Sequence, residues 1–372
     1  MQSWSRRICS TRRSFLASLA VATCAGETTA KGRILPSVAV RYADPATEVT
    51  VVRLTDPQFI SALPAAGNRG LTSRQVLYAS DMSGSWQAFR MDLKSKESHQ
   101  LTEAEGLDPA SIALLGNERG FWHFDGPNLV ETMFSNLKTR EVYRIPEGFE
   151  KLPGASFSDD GQFAAWVEKG GSRYRLRLLH VQHGAAVTLV ELADELSDLR
   201  LRPRNASLVY RRGGELWSVH FDGQESVRLP LGEGDTLEAQ WTSDGHALEY
   251  LNRPPDPKKL TSLREWTPEA SGQAERDAWV ANTSQFVRFQ ANANASVFVG
   301  ASGSKASPYL LLLIRAARRE LTLAEHRASD AALVAPAFAS NSQFVVFVSD
   351  RHGKPAIYWI AVDKLVAETD GS

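Results

Sequence analysis

The chain has 372 residues, enough for one large domain or two ordinary ones. Its 43% hydrophobic and 23% charged residues are the composition of a soluble globular protein. A formal net charge of −1 gives no support to a nucleic-acid or anionic-membrane partner.

Residues 1–30 read as a leader rather than as part of the fold. Thr11-Arg12-Arg13-Ser14-Phe15-Leu16 carries a twin-arginine signature, followed by the apolar run 15–22. Ala20-Val21-Ala22 then offers a signal peptidase its small residues. The apolar run is far short of the roughly 20 residues a membrane span needs. A buried N-terminal helix is the alternative, and paired arginines ahead of Phe-Leu argue against it. These features predict a periplasmic or secreted protein whose mature chain has no transmembrane segment. Both cysteines, Cys9 and Cys24, fall in the leader, so the mature protein has no thiol to pair. Thr23 before Cys24 is a poor fit to a lipid-anchor signal.

Residues 31–48, with Pro36 and Pro45, read as a linker. From there the chain repeats. An apolar residue, a turn of Ser, Asp, Asn or Gly, and a short apolar strand recur. The unit appears as Phe157-Ser158-Asp159-Asp160-Gly161 before 163–167, and as Trp241-Thr242-Ser243-Asp244-Gly245 before 247–251. Looser copies begin at Leu201, Phe289 and Phe338. Their spacing, roughly 40 to 49 residues, is that of propeller blades. A second repeated turn precedes a middle strand, as Ser80-Asp81-Met82-Ser83-Gly84 and Ser349-Asp350-Arg351-His352-Gly353. The stretch 318–325 reads as an outer strand.

The units predict blades at 74–105, 106–150, 151–192, 193–231, 232–278, 279–326 and 327–365. The last lacks an outer strand, and the strand at 49–54 has no blade of its own. The expected fold is therefore all-β. It is a seven-bladed propeller of four-stranded blades over residues 49–365, closed by the N-terminal strand completing the last blade, with a tail at 366–372. Such closure leaves no open sheet edge.

Several segments resemble the oligogalacturonate lyases. They are Val52-Arg53-Leu54-Thr55-Asp56-Pro57, the stretch 76–102 (VLYASDMSGSWQAFRMDLKSKESHQLT), the stretch 121–148 (FWHFDGPNLVETMFSNLKTREVYRIPEG) and 321–329 (LTLAEHRAS). The resemblance covers most of 42–362 and extends in part to other exported propellers of the TolB kind. It implies a seven-bladed propeller that cleaves short pectin fragments by β-elimination, with manganese held by histidines and a glutamine, and a histidine base. Here the chain departs from the family. Ala335-Pro336-Ala337 stands where the family has a His-Pro pattern, and Ala332 near its glutamine. Glu238-Ala239-Gln240 replaces a His-Glu pair, and Arg288 falls where the remaining metal histidine would lie. Alanine offers no ligand atom, so no metal site is expected and manganese is not assigned as a cofactor.

Strand alternation places the residues one and three before each of Leu201, Trp241, Phe289 and Phe338 on the central channel. That set is Asp198 and Arg200, Glu238 and Gln240, Phe286 and Arg288, Ala335 and Ala337. Arg200 and Arg288 suit a uronate carboxylate, and Glu238 is the candidate base. Asp198, Gln240 and His326 are candidate substrate contacts. Equally, these charges could simply pair with one another in a solvated channel.

His123 between aromatics reads as a core residue, and His246 as exposed. His180 and His183 lack a third ligand nearby. His352 reads as a loop residue. Arg173, Arg175 and Arg177 alternate with apolar residues and read as the wet face of a strand. No Gly-rich phosphate loop and no Gly-x-Ser-x-Gly elbow is present. Three functions stay open: a lyase-like enzyme with a rebuilt site, a non-catalytic propeller binding oligouronides or a protein partner, and a TolB-type scaffold.

Overall fold

In every blade but the first an inner strand leads, by a tight polar turn, into a second strand that is apolar almost throughout. Ser158 shows how the turn is held. Its Oγ accepts from Phe163 N at 2.9 Å and from Gln162 N at 3.1 Å, while Gly161 takes φ +71. Thr242 repeats the arrangement, with Oγ1 accepting from Ala247 N at 3.1 Å and Gly245 at φ +71. In the looser copies Ala295 and Ser342 occupy the same left-handed position at φ +54 and +56. A non-glycine residue there costs roughly 1–2 kcal/mol.

The computed structural model describes residues 30–224, 226–269, 274–283 and 285–367. Seven antiparallel sheets of four or five strands form a ring, a seven-bladed β-propeller. Arg12, Arg13, Cys9 and Cys24 of the expected leader lie outside the described residues, as does the end of the tail. Among the described residues no helix is long and apolar enough to cross a membrane. A short helix, Asp363–Ala367, follows the last strand.

The second strands explain the ring. In Gln75–Ser80, Val76 and Tyr78 pack against Val346 and Val348 of the last blade, while Leu77 and Ala79 pack against Leu114 and Phe121 of the next. Alternate side chains thus serve alternate neighbours. The pattern continues round the ring. Ala164 and Trp166 face one side and Ala165 and Val167 the other, and Val209 and Tyr210 divide likewise.

The N-terminal segment stitches the ring. Thr50–Arg53 pairs with Ala356–Ala361, placing Val51 opposite Ile360, and Val40–Ala43 pairs outside it. Ile34–Leu35 adds an outermost strand to the first blade against Ser98–Gln100. The stretch read as a linker therefore carries two strands. Four of their six residues face solvent and prolines flank them, so they leave no alternating pattern to read. The first blade also begins earlier than 74. Its inner strand is Ser61–Ala62, too short to show periodicity, and a long connection at 63–74 follows.

Two buried carboxylates break the apolar rule. Glu168, fully buried, is flanked by Arg175 and Arg177, whose side chains are only 13% and 12% exposed. Of the three alternating arginines only Arg173 is on a wet face, at 57%. The other two are covered by aromatics of the preceding blade, Arg175 lying 3.2 Å from the Phe149 ring centre and Arg177 Nη2 3.3 Å from Tyr143 Oη.

Glu249 has no such partner. It is 0% exposed, cross-strand from Gln240 and Glu265, and neither carboxylate oxygen makes a hydrogen bond. Arg315 binds Glu265 at 2.9 Å and stays 3.8 Å from Glu249. Burial, and secondarily the Glu265 charge, pushes the Glu249 carboxyl up to about 8.

Two predictions follow from this packing. Val51→Asp places a charge at a fully buried position of the seam strand and is expected to cost about 3 kcal/mol in urea unfolding. An unchanged midpoint would show that the seam strand does not hold the ring. For Glu249, the folded chain keeps a proton that the unfolded chain releases above the ordinary carboxylate range. Its contribution to stability is therefore full below that range and is lost as pH rises through about 8. Thermal melts should show Glu249→Gln to be the more stable form at pH 9, with a flatter pH dependence than the parent.

Candidate functional site in the central channel

The inner strands of the fourth, fifth and sixth blades are Leu196–Leu201, Asp235–Trp241 and Phe286–Ala291. Each carries a register irregularity against its neighbour, between Ser197 and Arg200, Thr236 and Ala239, and Phe286 and Arg288. A β-bulge adds one residue to one strand and turns the side chains beside it. Asp198, within the first, takes φ +49. The same irregularity corrects the expected channel set. Phe286 is 1% exposed and packs with Phe289 in the apolar cluster between the fifth and sixth blades. Simple alternation fails there because the extra residue reverses the facing.

Beyond these bulges lies a cavity of about 1650 Å³ walled by residues from around the ring. Asp198, Arg200, Glu238, Gln240 and Arg288 all line it, with Ala332, Ala335 and Ala337. Glu238 and Arg288 form its central pair. Arg288 Nη1 donates to Glu238 Oε1 at 3.1 Å, and Arg288 Nε donates to Ala332 O at 2.8 Å. Glu238 Oε2 accepts from Phe289 N at 3.2 Å. Burial raises the Glu238 carboxyl above its ordinary value, against the opposing pull of Arg288 and Arg200.

Arg200 Nη1 donates to Leu199 O at 2.8 Å, whereas its Nε is shut off from solvent without a partner. Burial lowers the Arg200 pKa. Asp198 binds Arg211 Nε at 2.7 Å. Burial pushes the Asp198 carboxyl up, but the Arg211 bond and the nearby guanidinium charges leave it below the ordinary value.

Arg211 carried no role in the sequence reading. It donates to the carbonyls of Gly214 and Thr236, both at 2.9 Å, and so ties the fourth blade to the fifth. Its only sequence signal is the Arg211-Arg212-Gly213-Gly214 turn. Arg200, Arg211 and Arg288, with Asp198 and Glu238, surround one small recess. Three guanidiniums face two carboxylates there, which leaves one positive charge over. Gln240 sits beside them, 8% exposed, with its Nε2 unpartnered.

His326 is not brought to this wall. It is 1% exposed, with Nε2 bonded to Ser302 O at 2.9 Å and Nδ1 accepting from Ala328 N at 3.1 Å. Both ring nitrogens are spent on backbone, and burial lowers its pKa. His123 lies in the core, 2% exposed and stacked on Phe121, and burial holds it at about 3. His180 and His183 stack on each other 4.0 Å apart, and His352 Nδ1 meets Tyr358 Oη at 2.8 Å. Among the described residues no three His, Cys, Asp or Glu side chains group as metal ligands.

No protein-family profile matches the chain. It is 22% identical to the oligogalacturonide lyase of Pectobacterium atrosepticum over 88% of this chain and 97% of that one. It is likewise 22% identical to the oligogalacturonate lyase of Dickeya dadantii, with the same coverage. A solved oligogalacturonate lyase in complex with manganese superposes with TM-score 0.82 at 19% identity, over 89% of this chain and 98% of that chain. The oligogalacturonate lyase of Vibrio parahaemolyticus superposes with TM-score 0.81 at 21% identity, with the same coverage. By sequence and by fold, the chain is a low-identity homologue of the oligogalacturonate lyases.

Proposed function

We infer that the chain is an exported, lyase-like propeller that binds short oligogalacturonides in its channel and cleaves them by β-elimination. The observation that carries this reading is the surplus positive charge beside Glu238. Arg288 spends Nε and Nη1 on Ala332 and Glu238, and its side chain, 36% exposed, still lines the cavity. Arg200 adds a second guanidinium charge on the same wall. A uronate carboxylate supplies the missing negative charge and matches the planar guanidinium.

The manganese of the solved relative does not fit this wall. Ala332, Ala335 and Ala337 have no ligating side-chain atom, the Ala332 carbonyl is taken by Arg288, and a guanidinium already stands there as the local cation. Charge neutralisation therefore falls to Arg288 and Arg200. With the carboxylate neutralised, the C5 proton becomes more acidic. Glu238 takes that proton, the C5–H electrons form the 4,5-double bond, and the C4–O bond breaks. The departing oxygen takes a proton from solvent in the channel. Burial suits Glu238 to this role by raising its basicity.

A second reading is favoured by one feature of the same residue. Both Glu238 oxygens are already hydrogen-bonded, and its side chain is 4% exposed. A propeller that binds oligouronides without cleaving them would look the same.

The deciding assay follows absorbance of the unsaturated product from digalacturonate and trigalacturonate, with and without added manganese. The expected result is turnover indifferent to manganese. Glu238→Gln should lower kcat by about 10²–10⁴-fold, and Arg288→Ala should raise KM by about 10- to 100-fold. The acid limb of the pH profile should lie above the ordinary glutamate range. Binding without turnover by folded protein would establish the second reading instead. Export rests on the twin-arginine signature. Replacing Arg12 and Arg13 together by Lys is expected to hold the protein in the cytoplasm, and unchanged fractionation would reject that route.

A further inference from the structure

The connection after the first blade's inner strand, residues 63–74, reaches across to three other blades. Elsewhere the inner and second strands are joined by a tight turn, as at 158–162 and 242–246. Here the backbone instead joins the second blade, where Leu114 N donates to Arg69 O at 2.7 Å and Arg69 Nη2 meets Glu118 Oε1 at 2.7 Å. Asn68 is clipped to the third blade. Its Nδ2 donates to Ala155 O at 2.8 Å, and its Oδ1 accepts from Phe157 N at 3.2 Å. Gly67 then lies against Arg200 of the fourth blade, at φ +86, where an added Cβ would sit 3.0 Å from Arg200 Cδ.

This strap passes over the stem of the arginine whose Nε has no partner. Its residues Ala65, Ala66 and Gly67 line the same cavity and present little side chain to it. Among the described residues the one hydrogen bond of the Arg200 guanidinium is to the neighbouring Leu199 carbonyl, and Asp198 and Glu238 act on it through charge alone. Its direction therefore depends on what bounds its stem.

We propose that Gly67 and Asn68 are positioning residues for Arg200, and that the strap sets the aim of its guanidinium toward an anionic ligand in the channel. Asn68 fixes the strap's height by its two-way bond to the third blade. The missing side chain at Gly67 leaves room for the Arg200 stem. The effect on a ligand is indirect, since it is transmitted through Arg200. This proposal rests on the carboxylate-binding reading for its ligand, but not for the geometry itself.

The test is a double-mutant cycle on digalacturonate binding by calorimetry, with thermal melts as a check on folding. Gly67→Ala and Asn68→Ala should each weaken binding about tenfold when Arg200 is present. In an Arg200→Met background each should change binding by less than about twofold, because the route of action is gone. Equal losses in both backgrounds would overturn the proposal by showing a merely structural role. If the parent protein does not bind digalacturonate, the oligouronide reading fails on its own, and a second measurement decides the strap. The Nε–H resonance of Arg200, identified by its loss in Arg200→Lys, should shift in both strap variants. An unmoved resonance in the two folded variants would overturn the proposal without reference to any ligand.

Discussion

Every blade depends on burying both faces of its second strand. A strand with apolar side chains on either side cannot be satisfied by one neighbour, so each sheet requires another before it and another after it. Only a closed ring meets that requirement for all seven. The two ends of the chain must then meet in one blade. Thr50–Arg53 lies between Ala356–Ala361 and Val40–Ala43, and Val51 joins the apolar cluster between the sixth and seventh blades. Asp44 and Arg351, 0% and 5% exposed and 3.6 Å apart, lie buried at the same seam. Polar groups so buried are tolerated because each meets an opposite charge or a backbone group.

The channel is where this repetition is broken. Second strands are held in register by apolar packing on two sides, whereas inner strands have one face on the cavity and tolerate an extra residue. Three consecutive inner strands carry such irregularities, and the charged residues stand beside them. The bulges turn Phe286 into the core and leave Arg288 on the wall. They also bring Glu238 within a hydrogen bond of Arg288 from a different blade. A rigid scaffold thus holds a carboxylate and two guanidiniums on strands rather than on loops, which limits how far they move on binding a ligand.

Glu238 and Glu249 show how differently one residue type behaves in two buried settings. Glu238 is opposed by Arg288 and Arg200, which offset part of the rise that burial gives its carboxyl. Glu249, one strand further out, has no hydrogen bond and a second carboxylate beside it, so it keeps its proton into the alkaline range. Glu168 is flanked by two arginines instead. Burial raises the carboxyls of Glu238 and Glu249, and the guanidiniums at hand decide how much of that rise remains.

The sequence by itself determined the repeat, the blade count and four residues of the charged wall, but not Arg211. Turn chemistry at Ser158 and Thr242 and apolar second strands are local properties, legible over a few residues. Asp198, Arg200, Glu238 and Arg288 could be placed from strand alternation counted back from those turns. Tertiary structure alone decided the rest, because it depends on contacts between distant segments. Bulges reversed Phe286, a two-residue strand hid the true start of the first blade, and half-exposed strands passed for a linker. His326 looked available in sequence, yet its ring is closed off by Ser302 and Ala328. Arg175 and Arg177 alternate like surface residues, but a neighbouring blade supplies the aromatics that bury them. The pairing of Glu238 with Arg288, and the reach of Asn68 to the third blade, have no local signal, since each joins residues about 50 or more positions apart.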